Sequence, residues 1–181
     1  MSRFATLAPL VAMAMSLGSA QALELENTLY LVLKDGRVVI EMRPDLAPRH
    51  VARIKELVRE GFYDGLTFHR VIEGFMAQTG DPRGNGTGGS GVKIKAEFSD
   101  EPHTRGALSM ARGPNKNSAD SQFFIVFADA RFLDGKYTFW GRVVSGMEFV
   151  DKIKLGSKSN NGTVTNPDKI VRMQVATDAD N

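Results

Sequence analysis

The chain has 181 residues, a formal net charge of +2 and no cysteine. The lack of cysteine excludes disulfides, thiol catalysis and cysteine metal sites. The small charge and scattered basic residues argue against bulk attraction to nucleic acid or to a membrane.

The first 22 residues have the organisation of a signal peptide. Arg3 precedes an apolar run from Phe4 to Leu17, and small residues then end in Ala20-Gln21-Ala22. This run is shorter than the roughly 20 residues that span a bilayer, and a signal-peptidase pattern follows it. We therefore predict export and cleavage after Ala22, which leaves residues 23–181 as a single domain; the alternative is a hydrophobic N-terminal helix or membrane anchor.

Short β-rich segments and two helical segments fill the rest of the chain. Asp35-Gly36 predicts a tight hairpin between its two flanking strands. Pro48 and Gly61 stand where an amphipathic helix would begin and end. Strands are predicted at 28–33, 38–42, 66–72, 75–79, 92–98, 106–111, 122–127, 137–144 and 170–175, and a second helix at 147–153. Because the helices do not alternate with the strands, we expect a mainly β fold with an antiparallel sheet closed into a barrel or sandwich.

Several familiar catalytic patterns are missing or lack their context. Gly84 to Gly89 matches G-x-G-x-x-G, but no amphipathic helix follows, so this stretch is predicted to be a tight loop rather than a phosphate site. The histidines at 50, 69 and 103 lack metal-ligand spacing, and His50 and His103 are expected at the surface. No serine lies in a nucleophile elbow.

The stretch from Phe68 to Asp81 places Arg70 and Gln78 among apolar side chains. A charged group is rarely set against apolar surface without a partner. One interpretation is a strand arginine paired with a carboxylate; the other is an apolar pocket edged by an arginine and two amides. Because side chains alternate along a strand, Phe123 and Phe124 must face opposite sides of the sheet.

These residues form a recognisable pattern. Phe68-His69-Arg70-Val71-Ile72-x-Gly74-Phe75-Met76-x-Gln78-x-Gly80-Asp81 resembles the signature of the cyclophilins, the cyclosporin-binding peptidyl-prolyl isomerases. Four more motifs follow in the family's order, at 86–89, 108–111, 121–125 and 133–135. The resemblance runs from Thr28 to Val175 and implies a closed eight-stranded antiparallel β-barrel capped by two α-helices.

The resemblance also implies roles for individual residues. Arg70 matches the catalytic arginine, and Gln78 the side chain that hydrogen-bonds the substrate backbone. Three positions depart from many family members. Phe132 replaces a tryptophan that contacts cyclosporin, and Tyr137 replaces a histidine. Arg112 replaces an asparagine common in eukaryotic members, while the Met-Ala-Arg sequence that it ends is similar to bacterial ones. The matched substrate-binding positions are Phe75, Met76, Gln78, Ala111, Arg112, Gln122, Phe124, Phe132, Leu133 and Tyr137, with Phe75, Met76, Phe124 and Leu133 forming the proline pocket.

The expected protein is thus a periplasmic peptidyl-prolyl cis-trans isomerase, with secretion as the second choice of location. It would be a monomer that needs no metal or cofactor, bind proline-containing polypeptides, and assist the folding of exported proteins. Weak cyclosporin binding is implied. We expect no nucleic-acid partner, and no membrane partner after signal cleavage. Two alternatives use the same pocket: a proline-peptide-binding chaperone with little turnover, and a barrel that carries a small apolar ligand.

Overall fold

The computed structural model describes residues 24–179, so the predicted signal peptide and its cleavage site lie outside the described residues. Neither the length nor the hydropathy of any helix within residues 24–179 is sufficient for a membrane span. This part of the chain contains two α-helices, α1 (Pro48–Arg59) and α2 (Met147–Val150). Its eight strands are β1 (Thr28–Leu33), β2 (Gly36–Met42), β3 (Arg70–Ile72), β4 (Met76–Thr79), β5 (Ala107–Met110), β6 (Phe123–Val126), β7 (Phe139–Ser145) and β8 (Arg172–Val175).

The eight strands form one antiparallel sheet in the order β3-β4-β6-β5-β7-β2-β1-β8. The two edge strands are not joined by a regular ladder. Instead, the segments that lead into them form an isolated bridge between Thr67 and Lys169, and the N–H of Phe68 donates to the carbonyl of Asp168 at 2.9 Å. The predicted eight antiparallel strands and two helices are confirmed, and the curled sheet closes through this irregular pairing.

Local sequence signals explain the first elements. Leu33 pairs with Gly36 across a two-residue turn, as the Asp-Gly signal predicts. Helix α1 has Pro48 in its first turn, where a missing N–H costs nothing. Its apolar side chains at 51, 54, 57 and 58 are buried against the inside of the sheet, together with residues of β1, β2 and β8.

The sheet carries a separate hydrophobic cluster on each of its faces. The inner face holds the main core, which contains Phe123 and Ile125 of β6. The intervening residues Phe124 and Val126 belong to a smaller cluster on the outer face. The predicted alternation along this strand is therefore confirmed, and it gives the outer face an apolar floor on which a site can be built.

The predicted strand at 92–98 is wrong. Only an isolated bridge between Ile94 and Ala119 forms there. The backbone N–H groups of the segment bond to side chains instead: Ala96 to the amide oxygen of Asn117 at 3.0 Å, and Glu97 to the hydroxyl of Thr138 at 3.1 Å. Because these donors are already satisfied, the segment needs no neighbouring strand.

The expected surface positions of His50 and His103 are also wrong, because both side chains are 0% exposed. Nδ1 of His50 lies 2.7 Å from a carboxylate oxygen of Glu97, and Nδ1 of His103 lies 2.9 Å from Asp134. A hydrogen-bonded partner offsets the cost of burying a polar ring. These partners are 47 and 31 residues away along the chain, so local sequence patterns do not indicate them.

Candidate active site

A cavity of about 730 Å³ opens on the outer face of the sheet. It brings together all of the predicted site residues except Gln122, which lines a smaller adjoining cavity of about 200 Å³. The larger cavity is lined by Arg70, Phe75, Met76, Gln78, Ala111, Arg112, Phe124, Phe132, Leu133 and Tyr137, together with His69, Gly84, Asn85, Gly86, Asn161 and Thr163.

Apolar side chains from three elements form the floor of the cavity. Met76 of β4, Phe124 of β6 and Leu133 of a 3-10 turn are buried members of the outer cluster. Phe75 and Phe132 stand at the rim, with ring centroids 5.5 Å apart, and Phe132 is 62% exposed. The result is a concave surface with an apolar floor, and its volume is in the range of pockets that bind small ligands.

Arg70 borders this apolar floor from the first position of β3, directly opposite Gln78 of β4. Its Nη1 donates to the amide oxygen of Gln78 at 3.0 Å. Its Nε donates to the backbone carbonyl of Asn161, and its Nη2 to the side-chain oxygen of the same residue, each at 3.0 Å. These three bonds fix the plane of the guanidinium and leave two of its five hydrogens for a ligand.

The interpretation of Arg70 as one half of a structural ion pair is wrong, because no carboxylate of residues 24–179 forms a salt bridge with it. Burial lowers the pKa of the Arg70 guanidinium below its ordinary value, and the nearby Tyr137 opposes this shift. An arginine remains protonated even so. The site therefore holds a half-buried positive charge whose partners are all neutral oxygens.

A chain of amide hydrogen bonds sets the orientation of Gln78. The side-chain nitrogen of Gln122 donates to the carbonyls of Gly86 and Gly88 at 3.1 and 2.7 Å. The oxygen of Gln122 must then face Gln78, from whose nitrogen it accepts at 2.9 Å. The side-chain oxygen of Gln78 therefore faces Arg70. Gln122 thus acts on the larger cavity through Gln78, although it does not line it.

The glycine-rich loop serves this network rather than a phosphate. One carboxylate oxygen of Asp81 accepts from the N–H of Arg83, and the other from the N–H groups of Asn85 and Gly86. Burial raises the pKa of Asp81, but the hydrogen bonds from the loop backbone outweigh it, so the pKa is lowered overall. The ionised carboxylate holds the loop in place, and the loop presents the carbonyls that orient Gln122.

Asn161 is a site residue that the sequence did not indicate as such. It lies in the polar loop at 154–168 and adopts a left-handed conformation with φ of 48°. Gly162 follows with φ of 78°, and a Cβ at this residue would lie 2.5 Å from the side chain of Ile72. The Asn-Gly pair is the only local signal, since these residue types favour such conformations. Nothing local indicates that the turn lies against Arg70.

The chain has clear relatives. The family described as "Cyclophilin type peptidyl-prolyl cis-trans isomerase/CLD" matches residues 28–175. A protein of Brucella suis biovar 1 (strain 1330) named "Probable peptidyl-prolyl cis-trans isomerase" is 57% identical over 180 residues, which cover 91% of this chain and 92% of the relative. "Peptidyl-prolyl cis-trans isomerase B" of Bacillus subtilis (strain 168) is 49% identical over 133 residues, covering 72% and 92%.

Solved structures agree with these sequence matches. The cyclophilin AquaCyp293 from Hirschia baltica superimposes with a TM-score of 0.77 at 28% identity, covering 86% of this chain and 76% of its own. A cyclophilin type peptidyl-prolyl cis-trans isomerase from Cryptosporidium parvum, crystallised in the presence of the dipeptide Ala-Pro, gives a TM-score of 0.75 at 26% identity, covering 82% and 98%.

Proposed function

Since this chain belongs to the cyclophilin-type peptidyl-prolyl cis-trans isomerases, we propose that Arg70 and the apolar cavity beside it catalyse rotation about X-Pro bonds in exported polypeptides. The observation that carries the assignment of the site is the guanidinium of Arg70. It is held by Asn161 and Gln78, pairs with no carboxylate of residues 24–179, and borders an apolar floor.

The reaction requires no bond cleavage. An X-Pro bond isomerises over a barrier of roughly 20 kcal/mol and takes tens of seconds unassisted. Shortening the isomerisation time to milliseconds requires a rate increase of about four orders of magnitude, or roughly 5 to 6 kcal/mol of transition-state stabilisation. In the twisted transition state the amide loses its resonance, and the proline nitrogen regains a lone pair that accepts a hydrogen bond.

Arg70 suits this task because its donor strength is independent of pH and its plane is already fixed. A hydrogen bond from its guanidinium to the proline nitrogen would form only when the amide is twisted, which is the condition for catalysis. Because no carboxylate in the described part of the chain pairs with Arg70, its charge is available for that bond. The apolar floor beside Arg70 strengthens it further.

The remaining site residues would hold the substrate while one side of the bond turns. Met76, Phe124 and Leu133, with Phe75 at the rim, would bind the proline ring through apolar contact. Gln78, whose orientation is set by Gln122, would bond the substrate backbone with its remaining N–H hydrogen. Ala111, Arg112, Phe132 and Tyr137 would complete the walls.

Arg70→Ala tests the assignment. We expect a large loss of kcat/KM, approaching the four decades that the reaction requires, with an unchanged unfolding transition. Exchange NMR on an Ala-Pro peptide reports turnover directly, since only an isomerase broadens cis and trans signals at substoichiometric protein. Arg49→Ala is the matched control, because Arg49 is exposed on α1 away from the cavity. Full turnover by Arg70→Ala would refute the role of Arg70.

The same experiment separates the alternatives. A proline-peptide-binding chaperone with little turnover would bind the peptide equally well before and after Arg70→Ala, and would broaden no signals in either form. A carrier of a small apolar ligand would not bind the peptide at all. Titration of the peptide alongside the exchange measurement therefore distinguishes all three.

We further propose that the protein is exported, resides in the periplasm as a monomer, and assists the folding of exported proteins. The support is the charged, apolar and small-residue regions of residues 1–22. Intact-mass measurement of the protein from a periplasmic fraction should give a chain that begins at Leu23. Recovery of the uncleaved chain from the cytoplasm would contradict the proposal.

Cyclosporin is proposed as a weak ligand of the same cavity. Phe132 supplies an exposed ring beside Phe75, but without the N–H of the tryptophan that many family members carry at this position. Competition of cyclosporin with the Ala-Pro peptide in the exchange experiment measures this affinity.

A further inference from the structure

The geometry points to Arg112 as a subsite for a negatively charged substrate residue close to the isomerised proline. This inference rests on the isomerase function proposed above and adds a preference for sequence around the proline.

The guanidinium of Arg112 is fixed in one orientation. Its Nε and Nη2 donate to the carbonyl of Lys136 at 3.2 and 2.8 Å, and its Nη1 donates to the carbonyl of Gly113 at 2.9 Å. Its central carbon lies 4.5 Å from the ring centroid of Tyr137. A cation that is already ordered loses little side-chain entropy when it binds an anion. Two of its five hydrogens remain for that anion.

Arg112 stands where a bound peptide would pass. It lines both the large cavity and the smaller adjoining one, and the ridge between the two is formed by Gln78, Gly86, Ala111 and Arg112. A peptide with its proline on the apolar floor therefore brings a residue near that proline within reach of the guanidinium.

The charge around this ridge is positive. Arg70, Lys93 and Arg112 line the two cavities, and the only carboxylate among their described lining residues is Asp120. Asp120 is 6% exposed and already accepts hydrogen bonds from the backbone and hydroxyl of Ser90, the N–H of Gly91 and the ammonium of Lys93. Within residues 24–179, no carboxylate forms a salt bridge with Arg112. An approaching anion thus meets a fixed, unneutralised cation.

A carboxylate suits this group because it accepts charge-assisted hydrogen bonds from the N–H groups that remain on Nη1 and Nη2. An acidic side chain and the free C-terminus of a short peptide both offer a carboxylate. Peptides with an acetylated N-terminus and an amidated C-terminus, such as acetyl-Ala-Ala-Pro-Ala-Ala-amide, restrict the test to side chains. The same peptide with a free C-terminus then measures the other source.

The experiment places a single Glu or Gln at one of four positions, the two before the proline and the two after it. Exchange NMR measures kcat/KM for each peptide. At one of these positions we expect the Glu peptide to be preferred by about three- to fivefold at low salt, as for a partly exposed ion pair. The preference should decline at about 0.5 M NaCl, where such pairs are screened.

Three variants assign the preference to its residue. Arg112→Gln should bring the Glu/Gln ratio to about 1, while Arg49→Gln, which removes the same charge from the exposed face of α1, should keep it. Arg112→Lys keeps the charge but loses the bonds that fix it, so an intermediate ratio is expected.

Ratios near 1 at all four positions, or a preference that survives Arg112→Gln, would overturn the inference. A preference for the free C-terminus without one for Glu would overturn the side-chain assignment. Turnover of the Gln peptides is the independent check on the isomerase itself. If the unaltered protein fails to turn them over, the proposed function fails; if it turns them over without preference, only the subsite does.

Discussion

Substitution of Asn161 tests whether catalysis depends on the position of Arg70 as well as on its charge. Asn161→Gly removes the side-chain oxygen that accepts from Nη2 of Arg70 at 3.0 Å, but leaves the backbone carbonyl that accepts from Nε. A hydrogen bond to a charged group contributes about 1.5–3 kcal/mol in a buried setting. Because Arg70 is only half-buried, water replaces part of the lost bond, and about 1 kcal/mol remains.

Taken as the cost of holding the guanidinium in place in the transition state, about 1 kcal/mol corresponds to a loss of about fivefold in kcat/KM. Asn161→Ala removes the same oxygen, so it should lose the same activity. Asn161→Ala should also be less stable than Asn161→Gly by about 1 kcal/mol, because alanine is strained at the φ of 48° that Asn161 adopts. The Gly and Ala variants thus separate the effect on the site from the effect on the backbone.

Asn161→Asp separates position from charge. It keeps an acceptor for Nη2 but pairs Arg70 with a carboxylate, so activity should fall further than in Asn161→Gly although the guanidinium is held more firmly. Exchange NMR measures the activity, and urea unfolding measures the stability. Unaltered kcat/KM in Asn161→Gly would refute the positioning role. Activity in Asn161→Asp equal to that of the parent would refute the need for an unpaired charge.

Three further predictions concern the loop, the histidines and the cavity rim. Gly156→Ala should lower both activity and stability, because the added Cβ would overlap the carbonyl oxygen of Gly162, next to Asn161; a variant with parental turnover and melting temperature would contradict this. Burial lowers the pKa of all three histidines below 6.5, so unfolding takes up protons and the melting temperature should fall as the pH drops below about 6.5. His69→Gln should make this dependence less steep in thermal melts, since neither ring nitrogen of His69 has a hydrogen-bond partner among residues 24–179. An equally steep dependence would count against this. Phe132→Trp should tighten cyclosporin binding, measured by calorimetry, and an unchanged affinity would show that residue 132 does not limit it.

The sequence alone determined most of the fold and most of the cavity. Strand alternation and helix spacing are local properties, so the eight strands and α1 could be assigned within a few residues. The opposite orientations of Phe123 and Phe124 also followed from one strand. The signature from Phe68 to Asp81 supplied Arg70 and its apolar neighbours, and the resemblance supplied the distant residues of the same cavity.

The tertiary structure decided what depends on contacts between distant parts of the chain. Arg70 and Asn161 are 91 residues apart, and only the fold shows that a neutral turn, rather than a carboxylate, holds the guanidinium. The places of His50 near a helix start and of His103 in a loop suggested exposed side chains. Instead, Glu97 and Asp134 approach these histidines from distant segments and allow their burial. Propensity favoured a strand at 92–98, where side chains satisfy the backbone instead. The residue type determines which hydrogen bonds a side chain can donate or accept, and the fold determines which partner it meets.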